Sequence, residues 1–225
     1  MRTTLVALGV ALVLAFMPGT ARADAFIFGF TPFGVQTLTL TTSTGSVVLN
    51  ATSTGWWDQT GLHNSTNPNY LICFPGGHFC PDFLGFHDFF VFGLNSVTGT
   101  ITSAFLSIGN PVGGFDSTDP TDLLSMYDVS TPISTLTASG TGQTGIYADL
   151  GSGILYGSQV VSSVDNGTQV LITLNSAAIS ALNLARGGSF AFGGDLAAVP
   201  EPGAAGLLLT GLAIIGWLAR QRGVR

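Results

Sequence analysis

Cys73 and Cys80 bracket Phe74-Pro75-Gly76-Gly77-His78-Phe79 and are the two cysteines of the chain. An even count of thiols, with a Pro-Gly-Gly turn between them that folds the chain back, fits a disulfide, whose Cα atoms must come within about 5.5 Å. Such a bond persists in an oxidising compartment. The competing chemistry is a metal site built from Cys73, His78, Cys80 and His87. Zinc takes those ligand types, but this spacing is not one of its strong signatures. The disulfide is the better fit.

Three other groupings could do chemistry. His63, His78 and His87 lie near Asp82 and Asp88 in sequence, and carboxylates about 5–9.5 Å apart across a cleft can hydrolyse a glycoside. Asp and His are equally at home in loops, where their side chains bond local backbone. Asp116, Asp119 and Asp122 fall in one turn-rich segment, the oxygen-rich type of loop that a structural calcium ion prefers. The competing reading is a plain loop turning at Asp119-Pro120, with Asp122 near the start of a strand. Trp56, Trp57 and Tyr70 could present flat apolar faces to sugar rings, although aromatics more often fill cores. On a strand, Trp56 and Trp57 must point to opposite faces.

Several activities are excluded. The six basic residues are all arginine, so Schiff-base and P-loop lysine chemistry is absent. Glu201 is the one glutamate, which removes the H-E-x-x-H metalloprotease motif, and there is no G-x-S-x-G elbow. Gly140-Thr141-Gly142-Gln143-Thr144-Gly145 matches G-x-G-x-x-G as a string. A dinucleotide fingerprint must open a helix, whereas Ile146–Leu150 reads as a strand, so these glycines are expected to form a loop. Residues 24–198 carry eleven aspartates against Arg186 alone, about −10 (eleven minus one). That balance leaves nothing to neutralise phosphates, so no nucleic-acid partner is expected.

The elements that position these residues are mostly strands. Thr37-Leu38-Thr39-Leu40-Thr41 alternates with period two. Ser46–Thr52, Phe89–Leu94, Gly99–Ile108, Ile146–Leu150, Ser158–Val164 and Gln169–Leu174 share its β-branched and aromatic content between turn residues. Val170, Ile172 and Leu174 would share a core face. Asp165-Asn166-Gly167 is expected to close a hairpin between the last two of these strands. One helix is expected over Ala177–Arg186, capped by Asn175 or Ser176 and stopped by Gly187. The fold class is therefore all-β, an antiparallel β-sandwich of jelly-roll type with one short helix.

The two ends of the chain are of another kind. Arg2, the apolar run Leu5–Phe16, Pro18-Gly19 and Ala21-Arg22-Ala23 read in order as a signal peptide cleaved after residue 23, at an A-x-A site formed by Ala21 and Ala23. At the other end Pro200-Glu201-Pro202 precedes an apolar run, Gly203–Ala219, and then Arg220, Arg222 and Arg225. As a helix the run reaches roughly 25 Å at ~1.5 Å per residue. That is the short end of what crosses a bilayer, and the arginines would stay cytoplasmic.

This order of motif, apolar helix and basic end, over residues 199–225, resembles the PEP-CTERM sorting signal of Gram-negative bacteria. The resemblance implies that exosortase, a membrane enzyme, cuts at Pro200, Glu201 and Pro202. The apolar helix 203–219 would then be a transient anchor, stopped by the basic cluster Arg220, Arg222 and Arg225. Ser125–Thr131, Ile146–Gly153 and Leu174–Gly194 are similar to ectodomains carried on such tails, which agrees with a sandwich. The expected organisation is signal peptide 1–23, exported domain 24–198 and sorting signal 199–225. The expected function is that of a non-enzymatic cell-surface or extracellular-matrix protein. Its partners would be exosortase and the secretion machinery, the membrane transiently, and a polysaccharide if the aromatics are exposed. A carbohydrate-binding module is the second reading and an exported hydrolase the third. No cofactor is expected beyond the calcium candidate.

Overall fold

The computed structural model describes residues 36–74, 80, 84–117, 119–199, 211, 212 and 215. The chain divides into two compact units, Arg22–Ala198 and Met1–Ala21 with Val199–Arg225. Ala21, Ala23, Pro200, Glu201, Pro202, Arg220, Arg222 and Arg225 lie outside the described residues, as do His78 and Asp82. Within the expected anchor, Gly211, Leu212 and Ile215 are described and are helical. Among the described residues no helix is long and apolar enough to cross a membrane.

The larger unit is an antiparallel all-β domain, as its alternating sequence implies. Its strands are β1 (Thr37–Thr42), β2 (Gly45–Asp58), β3 (Phe86–Gly93), β4 (Ile101–Asn110), β5 (Asp122–Asp128), β6 (Leu155–Val161), β7 (Thr168–Thr173) and β8 (Ser189–Ala198). Three helices punctuate them: α1 (Ile133–Leu136), α2 (Thr144–Leu150) and α3 (Ser176–Leu184). The strands form one eight-stranded sheet in the order β6-β5-β8-β3-β2-β1-β4-β7. Long β2 joins its halves. Gly45–Asn50 pairs with β1, and from Ala51 onward the strand pairs with β3, with a register shift between Ala51 and Ser53. Such a bulge bends a strand.

The outermost strands curl back toward each other. Asn175 N–H donates to the Tyr156 carbonyl at 2.8 Å. Gly157 sits so close to β7 that a Cβ there would lie 2.5 Å from the Thr173 carbonyl oxygen. The sheet is thus nearly closed, like a barrel. Its interior is filled by alternate residues: Leu38 and Leu40 from β1, Phe90 and Phe92 from β3, Val170 and Ile172 from β7, and Phe192 and Leu196 from β8. Ala178 and Leu182 of α3 pack against this core.

β3 is apolar on both faces for a physical reason. Phe90 and Phe92 point inward, whereas Phe89 and Val91 join Trp57 and Ala191 on the outer face, under Leu136 of α1 and Ile146 and Leu150 of α2. A strand covered on both sides reads as a continuous apolar run.

Several expectations from sequence are corrected. Ile146–Leu150 is helical: Ile146 and Leu150, four apart, bury one helix face on the sheet. The Gly140–Gly145 string therefore leads into a helix after all, though a seven-residue one. β6 and β7 do not form a hairpin but are the opposite edges of the sheet. Their connection is a 3-10 turn over Ser163–Asp165, closed by a capping box in which Asp165 Oδ2 accepts from Ser162 N–H at 2.7 Å. Asn166 and Gly167 do form a turn after it, with the positive φ at Gly167 (77°) and not at Asn166, whose Oδ1 accepts from Phe115 N–H at 2.7 Å. The helix near the end is where expected, with Asn175 accepting from Ala178 N–H at 3.1 Å and Gly187 at φ 82°. Among the described residues of this unit it is one of three α-helices rather than the single one expected.

Candidate functional site

Asp58 ends β2 and organises the loop after it. Its Oδ1 accepts from Thr60 N–H at 2.8 Å, Thr60 Oγ1 at 2.6 Å and Leu62 N–H at 2.9 Å. Gly61, at φ +76°, brings the loop against the backbone of Gln143 and Thr144, where a Cβ would collide. His63 follows and exchanges two backbone hydrogen bonds with Gly140, at 3.0 and 3.1 Å. The loop thereby sets the His63 ring against Trp57, with centroids 5.1 Å apart, and edge-on to Phe89 at 5.4 Å.

His63 Nδ1 lies 2.7 Å from the Trp56 carbonyl oxygen. A carbonyl only accepts, so Nδ1 carries the proton. Burial lowers the imidazole below its ordinary value of 6.5, against the opposing effect of that bond to Trp56. The ring is neutral at pH 7 and 3% exposed, which leaves no route for a substrate to reach it.

His87 lies on the same outer face. Its ring stacks flat on Tyr147 of α2, with centroids 3.9 Å apart, and Nδ1 meets the Tyr147 carbonyl oxygen at 2.6 Å. Nε2 lies 3.2 Å from Asp195 Oδ1 on β8. An imidazole acting as general base needs one nitrogen free to take a proton from a reacting group. Both nitrogens of His87 are occupied, one by backbone and one by carboxylate. The arrangement clamps α2 to β3 and β8. Burial, with the Asp195 and Asp58 carboxylates, pushes the Tyr147 phenol up to about 12.

Asp88, the next residue, points the other way, into the barrel. It is fully buried, and neither carboxylate oxygen has a hydrogen-bond partner among the described residues. Burial first, and the Asp195 carboxylate second, raise its pKa well above 3.8. Room for the side chain comes from Gly194, its cross-strand neighbour, which lacks a Cβ where Asp88 Oδ1 sits.

The described members of the set singled out for hydrolysis, His63, His87 and Asp88, are therefore not assembled. Among the described ones, His63 is enclosed by aromatics, His87 is held at both nitrogens, and Asp88 faces the interior. The cysteines are joined as a disulfide, Cys73–Cys80, with Cα atoms 5.7 Å apart. Two thiolates are thus removed from the alternative zinc set. Asp116 is exposed, Asp119 half-buried, and Asp122 buried at the first position of β5, between Val161 and Ala198. Among the described residues no three His, Cys, Asp or Glu side chains are grouped to hold a metal ion.

The aromatic trio is also dispersed. Trp57 is fully buried, with its indole N–H donating to the Leu136 carbonyl at 2.9 Å. Tyr70 is buried in the main core, its hydroxyl donating to the Gly109 carbonyl at 2.8 Å. Trp56 points to the opposite face from Trp57, half-buried, and packs edge-on against Phe86 at 5.0 Å beside the disulfide. The three do not share a surface.

Asp195, Tyr147 and Asp58 were not singled out from sequence, yet they organise this end of the sheet. Asp58-Gln59-Thr60 has the signal of a side-chain-capped turn; Asp195 and Tyr147 carry none, because their partner is distant in sequence. Compared with protein-family models, curated proteins and solved structures, the chain gives no match.

Proposed function

We propose that this is an exported, non-enzymatic protein of the cell surface or extracellular matrix, sorted through its C-terminal signal. The observation that carries the reading is the order Pro200-Glu201-Pro202, apolar 203–219 and Arg220, Arg222 and Arg225. A protease needs an extended, non-helical site, and a sequence with proline on each side of a residue disfavours helix there. The apolar run behind it serves as a transient anchor until exosortase cuts. At the other end a signal peptide, removed after Ala23, delivers the chain to the secretion machinery. The Cys73–Cys80 disulfide supports this route, since such bonds persist in oxidising compartments.

The bend of β2 further supports a jelly-roll sandwich, with the β2-β1-β4-β7 half facing the β2-β3-β8-β5-β6 half across one core. A non-enzymatic role is supported by the chemistry at His87, whose two nitrogens are both engaged. Polysaccharide remains the second reading of what the domain meets, with Trp56 as the half-exposed aromatic of the trio. Replacing Pro200, Glu201 and Pro202 together by alanine tests the main reading. The variant is expected to stay in the membrane fraction while the unaltered chain is released. Equal release of both would refute sorting at this motif.

A further inference from the structure

The first half of β2 is an open edge. Gly45–Asn50 pairs with β1 on one side, and β3 joins β2 only from Ala51 onward. Among the described residues no strand lies along the other side of Gly45–Asn50. An edge of this kind templates another strand unless charge, proline or a bulge blocks it. Gly45-Ser46-Val47-Val48-Leu49-Asn50 has neither charge nor proline, and its bulge comes after it, at Ala51–Ser53. The end strands of the sheet, β6 and β7, partly satisfy each other through Asn175 and Tyr156.

The strands around this edge carry no charge; the guanidinium near it is that of Arg186, which donates to the Gly99 carbonyl beside Ser43 and Thr44. No ionisable residue occurs in 36–57, 89–115 or 166–185. Those spans contain β1, β4, β7 and all of β2 but Asp58, which are neighbours in the sheet. The exposed side of this half runs from Val48, 62% exposed, across Thr39 to Phe105, 39% exposed. Among the described residues the carboxylates lie on β3, β8 and β5, at the end of β2, on α2 and in the loops. Two copies of a domain carrying about −10 repel each other, and on this half the strands bring no carboxylate of the described residues to the joint.

We infer that two copies of this chain pair antiparallel, edge to edge, through Gly45–Asn50 of β2. The same segment on both copies makes the contact two-fold and self-complementary. It joins the two halves, whose paired strands carry no charge, into one continuous sheet. The inference rests on the surface-protein reading and gives that protein its partner, a second copy of itself.

Sedimentation equilibrium of the full chain in mild detergent tests it. The unaltered chain is expected to dimerise. Val48→Lys, which sets like charges against each other at the joint, is expected to weaken association by roughly tenfold. Gln159→Lys, on exposed β6, is expected to leave it unchanged. Ser46→Glu is the second edge variant, used if circular dichroism finds Val48→Lys unfolded, and the same loss is expected. A monomeric unaltered chain overturns the inference. So does an edge variant that dimerises like the unaltered chain, as it would if the C-terminal helix alone held copies together, or an equal loss from Gln159→Lys. A monomer still released from the membrane overturns the pairing and leaves sorting intact; a dimer that is never released does the reverse.

Discussion

His87 on β3 and Asp195 on β8 meet with Nε2 3.2 Å from Oδ1, while the other face of the contact is the Tyr147 ring stacked at 3.9 Å. The carboxylate contact joins β3 to β8 and steadies the imidazole that the stack presses on α2, and the two are not equal in weight. Asp195 is 31% exposed, so water weakens its share, and Asp195→Asn is expected to cost about 1 kcal/mol or less. His87→Ala removes the stack and the bond to the Tyr147 carbonyl, at an expected cost of about 2–3 kcal/mol. Urea unfolding of both variants measures this, and equal costs would assign the hold to the carboxylate contact instead.

Asp88 makes stability depend on pH. Its folded pKa is raised above the ordinary 3.8, chiefly by burial. Its favourable contribution is full below about 3.8 and is lost as pH rises through the folded value. Asp88→Asn cannot ionise, so its stability relative to the native chain is expected to grow with pH, by up to about 1.4 kcal/mol per unit in that window. His63 acts in the opposite sense. Its folded value is depressed below 6.5 by burial, so its contribution is present above that pH and lost as pH falls through the folded value. Unfolding midpoints at a series of pH values separate the two, and a constant gap between Asp88→Asn and the native chain would contradict the first.

The disulfide closes a short loop beside Phe86 and Trp56. Replacing both cysteines by serine is expected to lower stability by about 2 kcal/mol. It should also alter the emission of half-buried Trp56, which packs on that cluster. Fluorescence-detected unfolding reads both, and an unchanged midpoint would place the loop outside the cooperative unit.

Gly193 lies under α2, where a Cβ would stand 2.5 Å from the Leu150 carbonyl oxygen. Backbone cannot swing aside as a side chain can, so Gly193→Ala is expected to cost about 1–3 kcal/mol. Gly145→Ala, with nothing within 4 Å of the new methyl, is the matched control. A thermal melt that moves equally for both would show that α2 is not seated on β8 in this way.

The legible parts of the fold were those where one physical signal acted alone. β1 alternates strictly, so Leu38 and Leu40 announced an inner face, and Val170 and Ile172 of β7 did the same. Asn175 and Gly187 bracketed α3 because capping chemistry is local. Ile146–Leu150 misled because a five-residue apolar run fits either period, and only its seat against β3 and β8 makes it a helix. β8 stayed hidden because Gly193 and Gly194 interrupt its pattern, and their smallness makes sense only beside Leu150 and Asp88. The start of β5 was legible as one of two readings, since a turn at Asp119-Pro120 leaves Asp122 near a strand start, where it stands. At the site, the Cys73–Cys80 link was readable from spacing, whereas the pairing of His87 with Asp195 depends on strand order, which no local pattern encodes.

Mass spectrometry of the protein recovered from the cell exterior tests the central claim most directly. The account expects a chain that ends within or next to Pro200-Glu201-Pro202 and has lost residues 203–225. Recovery of the exterior protein with Gly203 to Arg225 still attached would contradict it.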